Sequence, residues 1–130
     1  MTAPRLLVPL SLALLAACAQ HPLQTVELDA ESECPQRLKV GQALTLTLPG
    51  NPSTGYRWRI ENPAASILKS LGPEVYSAPD DTDVVGSAGS STWRYLASSA
   101  GEAQLVLVYQ RPWEAEVAPV QSFECKVIVR

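Results

Sequence analysis

The chain has one histidine, one phenylalanine and one methionine in 130 residues, and its formal charge is only −3. The scarcity of histidine and the small net charge each exclude something. A Ser-His or Cys-His nucleophile pair needs its base held inside a folded site, yet His21 sits in the short polar stretch Ala19 to Gln24, ahead of any regular pattern. With no ordered histidine and no assembled nucleophile–base set, the chain is not expected to be an enzyme, and His21 alone makes no metal site. Charges of both signs are dispersed, so the basic stripe that nucleic acid requires is missing. No apolar run reaches the roughly 20 residues of a comfortable membrane span, and no amphipathic helix of useful length occurs. Asp80, Asp81 and Asp83 lie close together, but no glycine or distal glutamate completes a calcium loop, so they are expected to be solvated. No metal or cofactor is expected.

What the N-terminus does have is Arg5, an apolar run from Leu6 to Ala16, and then Leu15-Ala16-Ala17-Cys18. That is the layout of a secretory signal: a positive start, a hydrophobic segment and small residues at the cut. Leu-Ala-Ala-Cys also resembles a bacterial lipobox, which implies cleavage before Cys18, acylation of its thiol and an exported lipoprotein of the cell envelope, in periplasm or outer membrane. The alternative is an ordinary signal peptide that happens to end near a cysteine. The expected division is therefore a leader over 1–17, a lipidated tether over 18–24 and one domain over 25–130, a length and a 46 % hydrophobic content that fit a single modest core. An exported chain meets oxidising conditions, so the two remaining cysteines, Cys34 and Cys125, are expected to form a disulfide; two buried free thiols are the alternative.

Period two dominates the domain. Val26, Leu28 and Ala30 alternate with polar partners; so do Leu44, Leu46 and Leu48, and then Tyr56, Trp58 and Ile60. After a less regular stretch from Ser66 to Ser77 come Trp93 and Tyr95, the run Leu105 to Tyr109, and finally Phe123, Cys125, Val127 and Val129. About seven short strands joined by Gly- and Pro-rich turns predict an all-β fold, an immunoglobulin-like antiparallel sandwich. If successive strands alternate in direction, the connections Asn51–Gly55, Pro79–Ser91 and Arg111–Pro119 fall at one end. The same parity puts Cys34 at the other end and the start of the first strand, with its tether, at the loop end.

The first of those connections, Asn51-Pro52-Ser53-Thr54-Gly55-Tyr56, is stiff because proline fixes φ and glycine tolerates φ > 0. By itself it is a plain turn. Trp58 belongs to the apolar face of a strand and is expected in the core, like the tryptophan that such sandwiches hold in their third strand. Trp113 follows Arg111 and Pro112 in a connection rich in Pro and Glu, where nothing turns it inwards. It is expected to be an exposed anchor, the kind of residue that dominates binding surfaces.

Asn51–Tyr56 resembles the NPTTGF/Y signature of the chagasin-like inhibitors of cysteine peptidases. Arg111-Pro112-Trp113 matches their RPW motif, and Gly86, Ser87, Ala88 and Gly89 resemble their GxGG loop, in the family's order. The resemblance covers about Thr25 to Arg130. It implies a reversible, non-covalent inhibitor of papain-like cysteine peptidases, monomeric, whose three loops wedge into the active-site cleft. By position, Ser53 and Thr54 would approach the catalytic thiol, with Gly86–Gly89 along one wall and Arg111–Trp113 along the other. Ser53 stands where the family often has Thr, and Ala88 where it usually has Gly. The rival class is a tethered sandwich that binds envelope components, its loops mere connections; it gives no reason for RPW and NPSTGY to share an end.

Overall fold

Leu44, Leu46 and Leu48 are buried while the residues between them keep part of their surface, the period-two signature of a strand with one face on a core. A computed structural model of the protein describes Pro4, residues 23–79 and residues 88–130. The rest of the leader, Cys18, His21, the Asp80, Asp81 and Asp83 group, Gly86 and Ser87 lie outside the described residues.

Nine strands occur among those described: β1 (Val26–Leu28), β2 (Gln36–Leu38), β3 (Ala43–Gly50), β4 (Arg57–Pro63), β5 (Leu68–Ser70), β6 (Val75–Ser77), β7 (Gly89–Ala97), β8 (Gly101–Gln110) and β9 (Gln121–Val129). They form two sheets, one ordered β1-β3-β7-β5 with β6 also on β7, the other β2-β9-β8-β4. The inner faces interdigitate through Leu44, Leu46, Trp93, Tyr95, Leu105, Leu107, Phe123 and Val127, all in one buried cluster. Burying a leucine as fully as Leu44 contributes roughly 2 kcal/mol. Trp58 is in this cluster, as its strand position predicts.

Cys34 and Cys125 are bridged, with Cα atoms 5.5 Å apart and a sequence separation of 91. In the loop-closure description a ring of that size restrains the unfolded chain by roughly 4–5 kcal/mol.

The sandwich differs from the expected one at its beginning. The first strand is split: β1 pairs parallel with β3, and β2 pairs parallel with β9 on the other sheet. A single turn of 3-10 helix, Glu31–Glu33, carries the chain across, and the Glu31 carboxylate accepts from Glu124 N–H at 2.7 Å. Strict alternation therefore fails, and two parity inferences fail with it. Because Val26 is opposite Leu44 at the start of β3, the domain begins at the end away from the loops, not beside them. Cys34 sits at the crossover, midway along β9, rather than at that far end.

The rest of the connectivity places the loops together. Gly50 at the end of β3 pairs with Gly89 at the start of β7, and Arg57 at the start of β4 pairs with Gln110 at the end of β8. The connections after β3, before β7 and after β8 thus leave the sandwich at one end.

Candidate functional site

Asn51 begins the first turn in an extended conformation, and its side-chain oxygen accepts from Ser53 N–H at 3.1 Å and from Ser53 Oγ at 2.5 Å. Pro52 opens a single 3-10 turn, Pro52–Thr54, where its missing N–H costs nothing. The Thr54 hydroxyl donates to Asn51 O at 2.7 Å, and Gly55 N–H donates to Pro52 O at 3.0 Å. Gly55 closes the turn at φ +85°, a left-handed conformation open to glycine at little cost. Both hydroxyls of the turn are thus committed to its own backbone and side chains.

Tyr109 anchors this turn to the core. Its phenol oxygen accepts from Asn51 N–H at 3.0 Å, while its ring packs on Trp58 (centroids 4.8 Å) and stacks on Tyr56 (5.3 Å). Trp58 completes the support by donating its indole N–H to Pro49 O at 2.9 Å. Neither hydrogen bond was legible in the sequence, where Tyr109 is only the last apolar residue of a strand.

Arg111 joins the first turn to the third. Its Nε donates to Thr54 O at 3.2 Å, its guanidinium lies 4.5 Å from the Tyr56 ring centroid and 5.9 Å from that of Trp113, and it pairs with Glu114 at 3.3 Å. Arginine suits this position because its planar cation can stack on aromatic faces and donate edge-on together. Pro112 opens another single 3-10 turn, Pro112–Glu114, which turns Trp113 back over Gly55. A Cβ at Gly55 would meet the Trp113 ring, so the close seat of that ring depends on glycine here, as the φ does. Trp113 nevertheless remains 69 % exposed, and Val117 and Val120 of the same connection are also exposed.

Of the middle loop, Ala88 and Gly89 are described. Gly89 is buried, and a Cβ there would strike the Ser77 carbonyl and the Tyr76 ring. The last glycine of the motif is thus needed for close packing of β6 against β7. Between this region and the first turn runs an open groove lined by Pro52, Arg57, Glu74 and Tyr76. Tyr76, absent from every motif, was missed because a three-residue strand gives no period to read.

A rigid sandwich that offers at one end a prefolded turn, a stacked arginine and an exposed tryptophan defines a loop-presenting protein-binding module. The profile described as chagasin family peptidase inhibitor I42 matches residues 37–127, and the chain belongs to that family of peptidase inhibitors. It is similar to Amoebiasin-1 of Entamoeba histolytica, 32 % identical over 92 residues that cover 69 % of this chain and 84 % of that one. Amoebiasin-2 of the same organism is 28 % identical over 103 residues, 78 % of this chain and 82 % of the relative. Among solved structures, the cysteine protease inhibitor EhICP2 from Entamoeba histolytica matches with a TM-score of 0.68 at 27 % identity, over 82 % of this chain and 96 % of that one.

Proposed function

We propose that the protein is a reversible inhibitor of papain-like cysteine peptidases, whose cleft it occludes with Asn51–Tyr56, Gly86–Gly89 and Arg111–Trp113. The observation that carries this reading is the bond from Arg111 to Thr54 O, with Trp113 laid over Gly55: two motifs far apart in sequence make one ridge. The names of the relatives support a cysteine peptidase as partner. Ser53 and Thr54 at the crest meet the catalytic thiol, and Trp113 anchors one wall. A turn already closed by its own hydrogen bonds loses little freedom on binding, which favours affinity. Held as a stiff 3-10 turn, its peptide bonds need not reach the attack geometry that cleavage requires.

We propose further that residues 1–17 are removed, that Cys18 is acylated and that the protein works as a monomer anchored in the cell envelope. The Cys34–Cys125 disulfide supports export, because such bonds persist in oxidising compartments. Mass analysis of the membrane fraction should find acyl chains on Cys18; a Cys18→Ser protein that remains equally membrane-bound argues against the anchor.

The test of inhibition is titration of papain with the purified protein. Tight inhibition that reverses on dilution and returns intact inhibitor is expected. Full papain activity at saturating protein sinks the reading and leaves the envelope-binding sandwich in its place.

A further inference from the structure

The end of the sandwich opposite the loops is laced by backbone hydrogen bonds: Val40 N–H donates to Arg130 O at 3.2 Å, Gly41 N–H to Ala97 O at 2.7 Å and Ser98 N–H to Ile67 O at 2.8 Å. The strips so joined, residues 38–42, 64–69, 97–101 and 129–130, contain Lys39, Lys69 and Arg130 and no acidic residue. Arg37 flanks them, and with Lys39 and Arg130 it rims a cavity of about 230 Å³ also lined by Leu38 and Ile128. All four cations are exposed. Lys126, by contrast, is paired with Glu102 at 3.3 Å. Two large apolar side chains at this end, Leu23 and Val40, are 44 % and 49 % exposed. At the loop end the balance is the other way: the connection 111–120 carries Glu114 and Glu116 against Arg111.

The described domain also starts on the cationic end. Leu23 lies beside Gly41, and Gln24 O accepts from Gln42 Nε2 at 2.7 Å. Only five residues of chain lead from Cys18 to Leu23, a reach of at most about 18 Å when fully extended. An acyl group on Cys18 therefore confines this face to within about two Debye lengths of the lipid surface, where basic side chains and apolar residues both gain from an anionic interface. We propose that the face bearing Arg37, Lys39 and Arg130, with Leu23 and Val40, docks on anionic lipid headgroups, so that the inhibitory ridge points away from the membrane. The proposal rests on the acylation of Cys18 put forward above.

The test uses the full acylated protein in vesicles. With Cys34 and Cys125 bridged, Val40→Cys and Glu116→Cys each supply one thiol for a fluorophore, and a headgroup spin label reports proximity by quenching. In phosphatidylglycerol vesicles the Val40 probe should be quenched several-fold more than the Glu116 probe. That excess should shrink in phosphatidylcholine vesicles, in high salt, and in the variant Arg37→Glu/Lys39→Glu/Arg130→Glu, whose papain inhibition reports that it is folded. Equal quenching of the two probes, or quenching at Val40 indifferent to lipid charge, overturns the proposal. The mass of Cys18 is read on the same sample: an unmodified thiol removes the anchor, not the surface. In that case co-sedimentation of the unmodified chain with phosphatidylglycerol vesicles decides, and binding that ignores the charge reversals overturns the docking face.

Discussion

Trp58 and Trp113 lie at two ends of one short aromatic run, yet the first is 8 % exposed and the second 69 %. Trp58 packs on Tyr109, Tyr109 on Tyr56, and Arg111 covers Tyr56 and reaches the Trp113 ring. Trp58 is enclosed and Tyr109 and Tyr56 are half-buried between partners; the outermost ring has Gly55 beneath it and solvent beyond. The same type of side chain therefore serves folding at one position and recognition at the other, and the difference is set by what lies on the ring's far face. Stability and inhibition should consequently be separable by mutation.

The largest effect that would sharpen this contrast lies wholly on the folding side. Replacing Cys34 and Cys125 by alanine releases a closed loop worth roughly 4–5 kcal/mol, and a domain of this size should melt more than about 10 °C lower. Inhibition by the protein that remains folded should be unchanged, since the bridge lies midway along β9, away from the ridge. Next, Trp58→Ala empties a core position and loses the indole bond to Pro49 O, a cost of roughly 3–5 kcal/mol in thermal or denaturant melts.

Trp113→Ala reverses the pattern. It should weaken papain binding by roughly 1–3 kcal/mol, measured as an inhibition constant, and leave the melting temperature nearly unmoved. Gly55→Ala should fall between the two classes. The residue sits at φ +85° and its new methyl would displace the Trp113 ring, so both stability and inhibition should drop, by about 1–2 kcal/mol each. If Trp113→Ala lowers the melting temperature as much as Trp58→Ala does, the division between core and ridge is wrong.

Much of this was legible in the sequence, and the gaps have physical causes. Leu44, Leu46 and Leu48 point inwards as alternation requires, because β3 has a core on one face only. Ile60, in a run of equal regularity and in register opposite Leu107, is 37 % exposed; β4 is the edge strand of its sheet, so its side chains have a neighbouring strand on one flank only. Alternation marks which face a residue is on, not whether its strand is an edge. The split first strand was hidden for a related reason: β1 and β2 are three residues each, too short for a period, and their parallel pairings are set by the crossover at Cys34. At the ridge the motifs named their residues. What joins them, Arg111 to Thr54 O and Tyr109 to Asn51 N–H, spans 57 and 58 residues of sequence and has no local signal.

The smallest expected effect tests whether the boundary between the two regions runs through Tyr109. Its ring belongs to the packing, against Trp58 and Tyr56, while its hydroxyl belongs to the turn, through Asn51 N–H. Tyr109→Phe keeps the first and removes the second. A neutral hydrogen bond contributes about 1 kcal/mol, so the melting temperature should fall by only a few degrees. The turn, however, would hold its binding shape for a smaller fraction of the time, and apparent affinity falls in proportion to that fraction. Because the peptidase then meets a competent ridge less often, the loss should appear in the association rate, up to about fivefold for 1 kcal/mol, with dissociation unchanged once the complex holds the turn in place. Stopped-flow association and dissociation measured against papain decide the matter. A variant that associates normally but dissociates faster would show that the hydroxyl acts within the complex, and that the turn is shaped by its own hydrogen bonds without Tyr109.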